Sequence, residues 1–271
     1  MPELPEVETT CRGIAPHVTG QTVLELILRT KKLRHPLDTE LCRVLAGRTI
    51  VAVERRAKYL LLHCDRGSII IHLGMSGMLR VVPADTTEQK HDHVDLIFTN
   101  GQALRFTDPR KFGIFTYTDE DPATHRFLVN LGPEPLSAAF TAAYLHERAR
   151  GKKQAIKPFI MDQAVVVGVG NIYANEALFR AGIHPTRQAG RVSIARLETL
   201  VEMIRIILNE AIAAGGTTIS DFHQADGKPG YFARQLQVYG RAGEPCVTCG
   251  AGVKSCRLGQ RSTYYCSHCQ R

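Results

Sequence analysis

Pro2 followed by Glu3 becomes a nucleophile beside a proton shuttle once Met1 is removed, because Pro2 then carries a free secondary amine. An ordinary α-amino group has a pKa near 7.7–8.0, against about 10.4 for lysine. At pH 7 roughly 10–15% of a terminal amine is free base, but only about 0.04% of a lysine. The terminus is therefore by far the better supplied nucleophile. A secondary amine can form an iminium with a sugar or carbonyl carbon, and the Glu3 carboxyl next door can move the protons. The bland alternative is a frayed terminus. Residues 1–6 read as no fold signal, since two prolines remove backbone donors and the positive start and apolar run of a secretory signal are missing. Directly after them Val7, Thr10, Cys11 and Ile14 recur at helical spacing, so the reactive end abuts a helix with an apolar face.

The second chemical signal is Cys246-x-x-Cys249 and Cys266-x-x-Cys269, with 16 residues between the two pairs. Two such pairs fit four thiolates around one tetrahedral zinc, each pair supplied by a tight turn. Disulfides or core thiols are the alternative, and the scattered Cys11, Cys42 and Cys64 argue against a disulfide framework. Four sulfurs leave no open coordination position, so the expected metal is one structural ion that stiffens a hairpin carrying Arg261. Cys256 falls outside the paired spacing, and His268 between two ligands reads as a surface residue.

Weaker signals suit an anionic ligand. Gly168-Val169-Gly170-Asn171 opens a helix, with Asn171 a good cap and the exposed amides a phosphate site; a plain tight turn explains it equally well. Asp108-Pro109-Arg110-Lys111-Phe112-Gly113 puts two cations and an aromatic ring on one turn. It is either a hairpin with incidental charge or a cation and apolar wedge for a duplex from which a base has left. Met75 is a second wedge candidate or core packing. Lys58 and the Lys152-Lys153 pair are phosphate contacts or solvated surface cations.

Elements that could position these groups follow from patterning. Segments 23–28, 49–55, 59–64, 68–72, 79–82, 94–98, 103–107 and 112–116 are strand-like and bounded by Gly, Asp, Asn and Pro, which predicts a β-sandwich or barrel. Leu131-Gly132-Pro133-Glu134-Pro135 is a turn-rich connector, and beyond it 138–150, 153–162, 171–181 and 193–214 have helical spacing. Residues 216–232 are polar and glycine-containing, long enough for a functional loop.

Composition bounds the rest. The 271 residues suffice for about two domains, and a hydrophobic content of 44% with 22% charged residues describes an ordinary globular protein. No apolar run approaches the roughly 18 residues of a membrane span, so a soluble, intracellular protein is expected. A net charge of +8 favours an anionic partner such as nucleic acid. Half of that charge sits after residue 240, where five cations face only Glu244.

Taken in order, PELPEVET, RRAKYLLL, IHLGMSGMLR, KHDHVD, TDPRKFG, LGPEPL, KKQAIKPFIMD, VVGVGNIYANE, AGIHP, DGKPGYF, QVYGR and the four-cysteine tail resemble formamidopyrimidine-DNA glycosylases over the whole length. These are bacterial enzymes that remove oxidised purines, such as 8-oxoguanine and formamidopyrimidines, from DNA. The resemblance implies an α+β protein of two domains: an N-terminal β-sandwich with flanking helices over 1–132, and a helical helix–two-turn–helix domain over 133–240 that ends in a zinc-finger β-hairpin over 241–271. It implies that Pro2 attacks C1′ of the damaged nucleotide and forms a Schiff base, with Glu3 as general acid/base. Lys58 would assist β-elimination, and Arg261 would grip phosphate and assist δ-elimination. His91, Arg110, Lys152, Lys153 and Asn171 map onto DNA-contacting positions, and Met75, Arg110 and Phe112 would fill the gap left by the flipped base. Residues 217–232 would close over that base, and Cys246, Cys249, Cys266 and Cys269 would hold the zinc. The expected partner is double-stranded DNA carrying an oxidised purine, bound by a monomer in the bacterial cytoplasm without any membrane. A related glycosylase for oxidised pyrimidines is the nearest alternative. A zinc protein that only binds damaged DNA is the alternative of another class. Covalent capture of a free Pro2 amine separates the enzymes from this last alternative.

Overall fold

The computed structural model describes residues 2–216 and 235–271. Met1 and the loop expected over 217–232 lie outside the described residues. The chain divides into two compact units: the described residues up to Val129 together with 214–216 form the first, and those of 130–213 and 235–271 form the second.

The first unit opens with α1 (Leu4–Val18), followed by β1 (Val23–Leu28), the short α2 (Leu41–Leu45), and seven further strands. These are β2 (Ile50–Arg56), β3 (Tyr59–Cys64), β4 (Ser68–His72), β5 (Met78–Pro83), β6 (Asp92–Phe98), β7 (Gln102–Thr107) and β8 (Ile114–Thr118). They form two antiparallel four-stranded sheets, ordered β1-β6-β7-β5 and β2-β3-β4-β8. Every strand delivers apolar side chains to one shared core, which Val7, Cys11, Ile14 and Val18 of α1 complete. That closure is a β-sandwich with the N-terminal helix packed into its core. The expected strands all form. The last one starts two residues later than its hydrophobic pattern suggested, because residues 108–113 fold into a turn bonded to Asp108.

The second unit is helical: α3 (Ala142–Ala149), α4 (Ile156–Met161), α5 (Asn171–Arg180) and α6 (Ile194–Ala213), then the hairpin β9 (Lys254–Leu258) and β10 (Arg261–Tyr265). From Ile172 to Phe179 every residue of α5 is buried, since α4, α6 and β10 all pack around it. α6 follows the sequence periodicity, with Leu197, Leu200, Val201, Ile204, Ile207 and Leu208 facing inward. The hairpin turn Gly259-Gln260 has both residues at positive φ, +53° and +62°, as a two-residue turn matched to strand twist requires. Among the described residues no helix is long and apolar enough to cross a membrane.

Candidate active site and nucleic-acid interface

The terminus is built into the fold rather than frayed. Pro2 is buried, and Glu3 is 2% exposed as the N-cap of α1. The cap is a reciprocal box in which the Glu3 carboxyl accepts from the Glu6 amide while Glu6 Oε2 accepts from the Glu3 amide at 2.8 Å. Reading residues 1–6 as carrying no fold signal is therefore corrected. Pro5 sits in the first helical turn, where a missing N–H costs nothing, and the two glutamates satisfy the amides of Glu3 and Glu6.

Lys58 lies in the two-residue turn between β2 and β3, where Arg56 pairs with Tyr59 and Ala57 is forced to φ +56°. It is 3% exposed, so the surface-cation reading is excluded. Nearby His72 has its pKa pushed down to about 4, by burial first and then by the charges of Lys58 and Arg34. The neutral ring accepts a hydrogen bond from the Gly74 amide at Nδ1, 2.9 Å away, and fixes the start of the loop that carries Met75.

Met75, His91, Arg110 and Phe112 occupy neighbouring turns of this unit. Phe112 is 45% exposed, and the guanidinium carbon of Arg110 lies 4.9 Å from its ring centroid. The Cβ that any other residue would carry at Gly74 would lie 2.5 Å from the Phe112 carbonyl carbon, so the Met75 loop touches the Phe112 turn backbone to backbone. His91 precedes β6, and its carbonyl accepts from the Asp108 amide at 3.0 Å. Upstream of His91, the carbonyls of Thr86 and Thr87 accept from Arg105 at 2.9 and 3.3 Å. Arg105 is itself buried and ion-paired with Asp95 at 2.8 Å.

In the second unit Asn171 is not the helix cap. Gly170 is the N-cap, and Asn171, the first helical residue, turns its Oδ1 to the ammonium of Lys157 at 2.7 Å. Lys157 is 1% exposed and also donates to Ser262 O at 2.9 Å and Thr263 Oγ1 at 2.7 Å. One buried cation thus fixes the start of α5 to the strand that begins at Arg261, which is exposed. Sequence reasoning settled on Lys152 and Lys153, both exposed, and missed Lys157. The only available signal was a lone cation inside the apolar run 155–161. Glu176 was missed as well: it is fully buried, and its carboxylate accepts from the amides of Gln237, Val238 and Tyr239 at 2.8–2.9 Å. Its partners lie 61–63 residues away in sequence, so no local pattern announces it.

The four paired cysteines converge, with all four sulfurs within 4.8 Å of one another, Cys249 to Cys266 at 3.5 Å and Cys246 to Cys269 at 3.9 Å. Tetrahedral Zn–S bonds of about 2.3 Å put sulfurs about 3.8 Å apart, so the cluster fits one zinc ion. Burial opposes ionisation of Cys246, yet the amides of Thr248 and Cys249 bring it down to about 7. Cys269 is pushed up to about 12, by burial first and by its sister thiols second. A dication supplies the charge that lets all four ionise together. Cys256 lies on β9 opposite Thr263, outside the cluster, and His268 is exposed.

The sequence model of the formamidopyrimidine-DNA glycosylase N-terminal domain matches residues 1–115, and that of the H2TH domain of the same enzymes matches 131–223. A zinc finger found in FPG and IleRS matches 243–271. The chain is 57% identical over 271 residues to the formamidopyrimidine-DNA glycosylase of Edwardsiella ictaluri, covering 100% of both chains. It is 54% identical, again covering 100% of both, to that of Escherichia coli O6:H1. Its structure is similar to that of Lactococcus lactis Fpg complexed with abasic-site DNA, with a TM-score of 0.92, 34% identity and 99% of both chains covered. The MutM (FPG) protein of Thermus thermophilus gives 0.88 at 36% identity, with 99% of this chain and 98% of that one covered.

Proposed function

The chain belongs to the formamidopyrimidine-DNA glycosylase family, and from that premise we propose that Pro2, Glu3, Lys58 and Arg261 carry its chemistry. The protein is a DNA N-glycosylase with abasic-site lyase activity that acts on oxidised purines in DNA. The Pro2 amine forms a bond to C1′ as the bond from C1′ to the damaged base breaks, and the base leaves with the electron pair and takes up a proton. Glu3 moves that proton and the one lost by the amine as the sugar ring opens to the iminium. Lys58 assists β-elimination and Arg261 δ-elimination, which cut the strand on the two sides of the lesion.

The observation that carries this reading is the reciprocal Glu3–Glu6 box. It holds the amine-bearing end and its proton shuttle rigid at the start of a core helix. Preorganisation of this kind is what positions a nucleophile for attack. His91, Arg110, Lys152, Lys153 and Asn171 contact DNA, with Met75, Arg110 and Phe112 entering the stack where the base leaves. Zinc holds the Arg261 hairpin in shape. Residues 1–132 are the catalytic part, 133–240 the helix–two-turn–helix part and 241–271 the finger, in a protein that works as a cytoplasmic monomer.

The test is borohydride trapping on duplex DNA bearing 8-oxoguanine opposite cytosine, with undamaged guanine and an oxidised pyrimidine as controls. A covalent complex on the oxidised purine, mapped to Pro2, is expected. Protein shown by mass spectrometry to retain Met1 is expected to bind DNA without trapping or cleavage. Cleavage by that form would remove Pro2 from the mechanism.

A further inference from the structure

We propose that Asp108 is a positioning residue that locks the wedge-bearing loops of the first unit into one rigid body, so that their side chains enter the base stack together. The inference rests on the wedge reading of Met75, Arg110 and Phe112 given above.

Asp108 is fully buried, and it is the node at which three segments meet. Its Oδ1 accepts from the Ser76 hydroxyl at 2.9 Å and from the Arg110 amide at 3.2 Å, while Oδ2 accepts from the Gly113 amide at 2.8 Å. Its main chain takes part as well. The carbonyl accepts from the Lys111 amide at 3.2 Å and from His93 Nε2 at 3.0 Å, and its amide donates to the His91 carbonyl. One residue thereby grips the neighbour of Met75, the backbone of Arg110, the neighbour of Phe112 and the backbone of His91.

The demand for this device is visible in the geometry. Phe112 stands 45% exposed with Arg110 across its ring, a costly arrangement to hold unless the turn beneath it is stiff. Lys111 sits at φ +54°, a conformation that residues other than glycine rarely adopt and that the surrounding bonds must enforce. A carboxylate suits the node because two oxygens accept all three donors. A carboxamide has one oxygen: facing Gly113 it presents its NH2 to the Arg110 amide, and turned over it presents that group to the Gly113 amide. In either orientation one amide loses its partner.

The experiment compares single-turnover base excision from an 8-oxoguanine duplex with strand cleavage at a preformed abasic site, in the full-length zinc-loaded protein. An abasic nucleotide has no stacked base to extrude, so wedge alignment bears mainly on the first reaction. Asp108→Asn is expected to slow excision roughly tenfold or more while leaving abasic cleavage within about twofold. It should also cut the fluorescence change of 2-aminopurine placed beside the lesion. Phe112→Ala reports on the wedge reading alone. If it slows excision but Asp108→Asn slows neither reaction, or both equally, the positioning role is overturned and the wedges stand. If Phe112→Ala and Met75→Ala leave excision unchanged, the wedge reading fails and takes the proposal with it. Should Asp108→Asn not fold, Ser76→Ala removes a single bond of the node. Its effect on excision is then expected to shrink in a Phe112→Ala background, and fully multiplicative effects would overturn the proposal.

Discussion

The Lys157 ammonium lies 2.7 Å from Asn171 Oδ1 and 2.7 Å from Thr263 Oγ1, a residue 106 positions further along the chain, so one buried cation joins the first residue of α5 to the β10 strand of the finger. Its third donor goes to Ser262 O. Every ammonium proton is thereby matched, the condition under which a charge can be buried at all.

Lys157→Met keeps the bulk but leaves Asn171 and Thr263 facing an apolar chain. The expected loss is about 2–4 kcal/mol of unfolding free energy, together with weaker DNA binding. Urea unfolding and fluorescence anisotropy measure the two. If stability falls but affinity does not, Lys157 only supports the fold.

Glu3→Gln retains an amide oxygen for the Glu6 N–H, so helix α1 should lose less than about 1 kcal/mol. Excision should nevertheless drop by about 10²–10⁴-fold, since the carboxamide cannot shuttle a proton. Single-turnover rates decide it, and an excision rate within a few-fold of the parent would remove Glu3 from that role.

Zinc removal by chelation, checked by metal analysis, should weaken binding to a lesion duplex by at least about tenfold, because the Arg261 hairpin loses its frame. Arg261→Ala should lower the slope of log affinity against log salt by about 1, the signature of one lost phosphate contact. Unchanged affinity after verified zinc loss would contradict the linkage.

His72 gives a pH prediction. Its pKa is pushed down to about 4, against 6.5 for the ordinary side chain. As pH falls the unfolded chain takes up this proton before the native one does. The stabilisation is therefore complete above about pH 6.5 and disappears by about pH 4, at most about 3 kcal/mol. Urea midpoints at pH 7.5 and 4.5 should differ more for the parent protein than for His72→Gln, and equal differences would show that the ring does not titrate this way.

Much of this molecule was legible in its sequence, and the legible part shares a physical cause. The Cys246–Cys249 and Cys266–Cys269 spacings encode a metal site because each ligand pair is made by one tight turn. The strands were readable because alternation and turn residues act over a few positions, and α6 because its apolar stripe repeats every turn. The Pro2-Glu3 pair stood out as a candidate nucleophile and proton shuttle because the two groups are adjacent in the chain. Even so, locally read features went wrong where a neighbour in space intervened. Asn171 looked like a cap and is instead a ligand of the Lys157 ammonium, while Pro2 to Glu6 looked structureless and proved to be a capping box.

Tertiary structure alone decided the rest. The Asp108 node joins Ser76 to a turn 32 residues on, Glu176 holds amides more than 60 residues away, and Arg105 reaches back to Thr86. None of these partners follows from spacing. Each of the three is a charged group nearly or wholly removed from water, and such a group must find its hydrogen bonds wherever the fold delivers them. The sequence by itself determined which groups could do chemistry and where the strands and long helices run. Only the folded chain determined which buried charges hold those groups still, because that choice depends on who is left without water once the core has closed.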